Sequence, residues 1–239
     1  MFIKNLKLFN FKNHNEKFFD FSAEINCFVG NNGAGKTNIL DALHYLSMAK
    51  SFLGNLDAQN ILHESDFFAI EAEIQGEEKN DIIKVQLPKE GKKIIKKNDK
   101  TYERIADHIG FLPSVMISPY DANLISDGSE SRRKFLDAMI SQTDSDYLFA
   151  LIQYQKTLQQ RNALLKYFAK NRTFDLDSLE IYNEPLTKFG TQIFEKRQRF
   201  VASILPTIQH FYEIISKGNE KVTVIYESNL NEQNFEKIL

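Results

Sequence analysis

Residues 30–37 read Gly-Asn-Asn-Gly-Ala-Gly-Lys-Thr and fill every fixed position of G-x-x-x-x-G-K-[ST]. The flanks supply the context such a loop needs. "EINCFV" (24–29) reads as a short apolar strand, and 35–50 as a helix with Ile39, Leu40, Leu43 and Leu46 on one face. The physics is specific. Glycines let backbone N–H groups turn inward to cradle phosphate oxygens, and the helix start adds the positive end of its dipole. Gly30, Asn31, Asn32, Gly33, Ala34, Gly35, Lys36, Thr37 and Asn38 are therefore the candidate nucleotide-binding residues. Lys36 is expected on the β/γ-phosphates and the Thr37 hydroxyl on Mg²⁺.

Around the loop the chain is β-rich. Residues 2–11 alternate as a strand through Ile3, Leu6, Leu8, Phe9 and Phe11, with "EKFFDF" (16–21) as its hairpin partner. Further strands are predicted at 67–75, 81–87, 92–98 and 113–118, with a short helix at 102–109. After Gly128 the period changes. Residues 129–141 and 144–169 read as helix, the latter with Leu148, Ile152, Leu158, Leu165 and Phe168 at helical spacing. A break at 170–178 offers Asp177 or Ser178 as an N-cap. A helix over 179–216 follows, striped by Leu186, Phe189, Ile193, Phe200, Ile204, Ile208, Phe211 and Ile215, which Pro185 and Pro206 are expected to kink or divide. The pattern predicts an antiparallel helical hairpin about 40 Å long. "EKVTVIYES" (220–228) reads as a return to strand. The expected organisation is a β-rich nucleotide-binding lobe (1–118), a helical arm lobe (119–217), and a return strand and helix (218–239) toward the rest of an α/β core.

Composition excludes several classes. Net charge is −2, so any nucleic-acid surface must be a local patch. The single cysteine, Cys27, cannot form an internal disulfide, and it is expected to pack within its strand. His14, His44, His63, His108 and His210 are scattered, without metal spacing. No apolar run reaches membrane-spanning length and the start lacks a signal-peptide core, so no membrane association and a cytoplasmic setting are expected.

The finer loop form G-x-N-G-x-G-K-T-N, with Asn32 and Asn38, resembles ABC-type ATPases of the SMC-like branch, as does "NFKNH" (10–14). Guanine-reading order is absent, since "KKND" (96–99) is not Asn/Thr-Lys-x-Asp, and a helical arm does not suit a kinase lid. A second stretch, "SPYDANLISDGSESRRKFLD" (118–137), narrows the resemblance. Its Pro119, Asp121, Leu124, Ile125, Gly128, Arg132, Arg133, Phe135, Leu136 and Asp137 are similar to the diagnostic motif of the RecF family. "AKSF" (49–52) and "FLPSVMISPYD" (111–121) agree in order. Ile125–Ser129 is not the L-S-G-G-Q signature, because no apolar strand ending in Asp-Glu follows it. Departures include His14 for Tyr, Ala49-Lys50 for Gly-Arg, and Leu53 for a second Arg.

The resemblance implies an ABC-type ATPase head with an inserted helical arm. It implies ATP and Mg²⁺ as cofactors and ATP-dependent homodimerisation. The implied partners are double-stranded DNA near single-strand gaps and recombination mediator proteins, in recombinational repair, replication and the SOS response. By the same resemblance Lys12 and Asn13 lie by the nucleotide, and Asp121 is a candidate sensor of it, with Gln59 a weaker one. The signature and Walker B acid of the family are not in residues 1–239, so a fragment with no catalytic acid of its own and poor hydrolysis is expected. Rival readings are another SMC-like head, which would carry a longer coiled coil, and a non-catalytic module whose loop only stabilises the fold.

Two basic elements are open to two readings each. Arg132 and Arg133 either meet phosphate, carboxylate or DNA, or Arg133 simply holds Asp137 at i,i+4. Lys92, Lys93, Lys96 and Lys97, with Lys89 and Lys100, either track a DNA backbone or guard a solvated edge strand, and the acidic balance favours the guard. Lys50 is a further candidate DNA or phosphate contact, and "EKRQR" (195–199) a weaker one.

Overall fold

The structure, a computed structural model, describes residues 1–239 except Asn55, Asn234 and 236–239. The described chain forms two compact units, Met1–Ile125 and Ser126–Leu239.

In the first unit six strands form one antiparallel sheet: β1 (Phe2–Phe11), β2 (His14–Asp20), β3 (Phe67–Gln75), β4 (Asn80–Pro88), β5 (Ile94–Lys97) and β6 (Lys100–Thr101), in the order β2-β1-β3-β4-β5-β6. Helix α1 (Lys36–Met48) covers one face. Strict alternation explains the layer. Leu6 and Leu8 of β1, Phe68 and Ile70 of β3, and Ile83 and Val85 of β4 are fully buried with Ala42, Tyr45 and Leu46 of α1. Phe11, Tyr45 and Phe68 meet edge to face at centroid separations of 5.2–6.1 Å, the aromatic centre of this core.

Two strands predicted for this unit are absent among its described residues. Residues 24–29 and 113–118 hold no regular structure and join no ladder among the described residues. Apolar sequence makes a segment strand-like, but a strand also needs a hydrogen-bonding neighbour. Several of their apolar side chains are accordingly bare, with Ile25 83%, Val29 93%, Val115 69% and Ile117 82% exposed, whereas Phe28 packs against the core beside Phe19 and Phe21. Cys27 is exposed as well, not packed as expected. The predicted helix at 102–109 shrinks to a 3-10 turn, Ile105–His108.

The second unit holds α3 (Ser129–Ser141), α4 (Ser145–Asn171) and α5 (Leu176–Ser216); the short α2 (Asn123–Ser126) precedes them. Ile140, Tyr147, Ala150 and Ile193 form the small buried cluster of the α4–α5 hairpin. The break is tighter than predicted, and Asp175, not Asp177 or Ser178, caps α5, accepting from the Asp177 N–H at 3.2 Å and from the Ser178 hydroxyl. Helix α5 continues through Pro185 and Pro206 for 41 residues instead of dividing. A proline removes one backbone hydrogen bond, and burial of Leu179, Leu186, Ile193 and Val201 along the helix outweighs that loss. Phe211 and Ile215, placed on the packing stripe by their spacing, are 58% and 78% exposed. Residues 220–228 do not return to strand; they hold no regular structure, and Val222 O accepts from the Gln209 side chain of α5 at 3.3 Å. The helix predicted after them falls largely on residues outside those described, and Asn229–Asn231 is a 3-10 turn. No helix among the described residues is long and apolar enough to cross a membrane.

Candidate functional site

The phosphate loop sits at the start of α1. Gly33 (φ 84°) and Gly35 (φ 91°) hold left-handed backbone, the conformation that turns successive N–H groups toward one concavity. A cavity of about 300 Å³ is lined by Asn32, Gly33, Gly35, Lys36, Thr37 and Asn38. The Lys36 ammonium folds back onto the loop, donating to the Gly30 and Asn31 carbonyls at 2.8 Å each. A cation held only by two exposed carbonyls can turn to a polyphosphate, which makes stronger charge-assisted bonds. Thr37 is exposed at the same rim, so its hydroxyl is available to a cation that keeps most of its water and phosphate ligands. Among the described residues no group of three or more His, Cys, Asp or Glu is arranged to hold a metal ion.

The loop is buttressed from the β1–β2 turn. Asn13 donates to Gly33 O at 3.3 Å and accepts from the Asn38 side chain at 2.8 Å. The His14 Nε2–H donates to Gly35 O at 3.2 Å, and His14 is buried. A Cβ on Gly35 would lie 2.6 Å from Asn13 Oδ1 and 2.6 Å from His14 Cε1, so the close approach, as well as the φ, calls for glycine. Asn13 thus lies at the cradle. Its neighbour Lys12 does not: its ammonium is buried in an ion pair with Asp41, at 9% and 0% side-chain exposure.

The remaining candidates scatter. Asp121 caps a 3-10 turn, accepting from the Ser118 N–H at 2.9 Å and its hydroxyl at 3.3 Å. Gln59 does the same for Leu56, accepting its N–H at 3.2 Å. Lys50 is exposed beside the left-handed cap Ala49. Of the lysine hairpin, Lys92 is exposed, whereas Lys93 is pinned by Asp57 at 2.6 Å and by Ala49 O, 4.8 Å over the Tyr45 ring. Lys97 is tied to Asp81 at 3.1 Å and lies 3.6 Å from the Phe111 ring centroid. Lys96 is half-buried, opposite Lys84 on β4. The hairpin is therefore part free cation, part internal tie.

In the helical unit the two arginines of the diagnostic motif brace the first turn of α3. Arg132 donates to Asp127 O at 2.9 Å and Arg133 to the Ser129 hydroxyl at 2.7 Å. The Arg133–Asp137 pair, one of the two readings of Arg133, does not form, because Asp137 is taken by Arg197 through bonds of 2.8 and 2.9 Å and by the Tyr147 hydroxyl. Burial opposes charge on Arg197, but bonds to Tyr226 and Tyr147 and the Asp137 carboxylate hold its pKa above the ordinary arginine value. Burial, with the Asp137 carboxylate, pushes the Tyr147 hydroxyl up. The "EKRQR" cluster is paired too, Lys196 with Asp144 at 2.7 Å and Arg199, on the surface, with Glu195 at 3.2 Å. Sequence reading missed the Lys12–Asp41, Lys93–Asp57 and Arg197–Asp137 pairs, whose partners are far apart in the chain.

Residues 2–226 match the sequence profile of the RecF/RecN/SMC N terminal domain. A DNA replication and repair protein RecF from Flavobacterium johnsoniae is 51% identical over 239 residues, which is 100% of this chain and 67% of that protein. RecF of Phocaeicola vulgatus is 46% identical, with 96% of this chain covering 61% of it. A solved structure of the recombination mediator protein RecF-ATPrS in the RecFOR pathway superposes with a TM-score of 0.90 at 31% identity, over 99% of this chain and 64% of that one. The chain thus spans about two thirds of the length of these relatives. With its phosphate loop on an α/β head and its helical arm, the chain belongs to the RecF family of SMC-like, ABC-type ATPases.

Proposed function

We propose that residues 1–239 hold the nucleotide for an ATP-dependent DNA replication and repair protein. The observation that carries this is the loop geometry. Two left-handed glycines, a Lys36 ammonium folded back on loop carbonyls and an exposed Thr37 line one concavity, buttressed by Asn13 and His14. Relatives of 31% to 51% identity include RecF proteins, one of them solved with a nucleotide analogue, which supports ATP as the ligand. In this reading the backbone N–H groups of 33–37 and Lys36 bind the β- and γ-phosphates, and Thr37 ligates Mg²⁺. The metal, when bound, would neutralise charge between those phosphates. The part of the reaction we assign to these residues is phosphate binding, not activation of the attacking water.

The whole protein, on this reading, dimerises with ATP, engages duplex DNA beside single-strand gaps and helps mediator partners place the recombinase. Lys50, Lys92 and Lys96 are the cations left to meet the DNA backbone; Lys93 and Lys97 serve the fold.

Lys36→Ala tests the reading, because the side chain bonds only to loop carbonyls and its loss spares the core. The expected result is an unchanged circular dichroism spectrum with MgATP affinity at least roughly tenfold weaker by calorimetry. In the whole protein the same change should abolish gap repair. Undiminished MgATP binding by the variant would remove the basis of the proposal.

A further inference from the structure

Three consecutive side chains leave the β1–β2 turn in two directions. Asn13 and His14 reach the phosphate loop. Lys12 turns into the protein and pairs with Asp41, one helical turn beyond the loop on α1. The Asp41 carboxylate does more than neutralise that cation. It accepts from the Ser51 hydroxyl at 2.8 Å and from the Phe52 N–H at 2.7 Å, and Ser51 Oγ in turn accepts from the Leu53 N–H at 3.2 Å. An ionised carboxylate has about four acceptor positions, and here two of them are spent on the segment that follows α1. The same segment is gripped a second time, where Lys93 binds Ala49 O and Asp57. Lys50 lies between the two grips and is exposed. Lys12 also holds left-handed backbone (φ 54°), its N–H bonded to Asn60 O at 2.7 Å, so its side chain leaves the turn from a fixed geometry.

We propose that Lys12 and Asp41 are positioning residues: they set the 49–53 segment, and with it Lys50, at a fixed place after α1 for contact with duplex DNA. Neither touches nucleotide or DNA; both act through Ser51 and Phe52. The DNA part rests on the reading of Lys50 given under the proposed function.

The test uses the chain 1–239 and three variants. K12M strands the buried Asp41 charge. K12M/D41L removes the pair without stranding a charge, and with it the acceptors for Ser51 and Phe52. K50A removes the exposed cation alone. Amide hydrogen exchange at Phe52 and Leu53, thermal midpoint, MgATP affinity and affinity for a duplex of about 30 base pairs at two salt concentrations are the readouts. For K12M/D41L the expected result is a midpoint above that of K12M, MgATP affinity within about twofold of the parent, and exchange at Phe52 and Leu53 roughly tenfold faster. Its duplex affinity and salt slope should fall as far as in K50A, a slope loss of about 0.9. A double variant that exchanges like the parent at Phe52, or binds duplex like the parent while K50A does not, overturns the proposal. Should K12M fail to fold, K12M/D41L and S51A decide by the same readouts. If K50A itself binds duplex like the parent, the DNA reading of Lys50 fails, and the exchange rates alone decide whether the pair orders the segment.

Discussion

Replacing Arg197 by Met should loosen the helical unit far more than any neighbouring arginine. Arg197 and Asp137 are 14% and 16% exposed in their side chains, and the guanidinium forks onto both carboxylate oxygens. Stranding one member of a buried pair costs about 3–5 kcal/mol. The residual exposure, and the Tyr147 hydroxyl that still donates to Asp137, reduce that to about 2–3 kcal/mol. For a unit the size of 126–239 this lowers the midpoint by roughly 10 °C. The assay is thermal and urea unfolding followed at 222 nm, since the chain has no Trp and the helical unit dominates that signal. Arg199, whose pair with Glu195 is 75% and 52% exposed, is the control and should leave the midpoint where it was. R197M/D137L replaces the pair with apolar groups and should recover most of the loss. An R197M midpoint within about 1 °C of the parent would refute the argument that this pair fastens α3 to α5.

Two further outcomes follow from the first unit. Gly35→Ala places a Cβ 2.6 Å from Asn13 Oδ1 on a backbone at φ 91°, so it should cost about 1–3 kcal/mol in urea unfolding and weaken MgATP binding in parallel. Burial holds the pKa of His108 below its ordinary 6.5, the Lys97 charge adding to this and the bond to Leu46 O opposing it. The unfolded chain therefore takes up the proton first, and stability present above pH 6.5 is lost on acidification, by up to about 1.36 kcal/mol per pH unit per histidine. H108F should flatten the stability profile between about pH 7 and pH 5; an unchanged slope would mean that the titration lies elsewhere, His44 being the other histidine that burial depresses.

The sequence was most legible where a short period decides the structure. Alternation at 67–75 returns as β3 with the same ends, and the helical period at 129–141 as α3. The loop, too, was readable, because its chemistry needs particular residues at fixed spacing within eight positions. The apolar runs at 24–29 and 113–118 were misleading, because apolar content alone does not supply the hydrogen-bonding neighbour a strand needs, and neither run joins the described sheet. The charged ties were illegible for a different reason. Lys93 meets Ala49 across 44 positions and Arg197 meets Asp137 across 60, and nothing local distinguishes such a cation from a solvated one. Lys12 shows the consequence. A basic residue two positions before a cradle histidine invites a phosphate, yet the α1 carboxylate one turn past the loop claims it first.

The prolines of α5 carry a mechanical consequence. Pro185 and Pro206 leave the carbonyls of Ile181 and Ala202 without their usual donor. Both of those residues are exposed, so water can take the donor's place and the rod survives, but with two compliant stations. Twenty-one positions separate the prolines. At 3.6 residues per turn they lie only about 60° apart around the axis. Any bend at one proline would therefore fall on nearly the same side of the helix as a bend at the other, so the two would add rather than cancel.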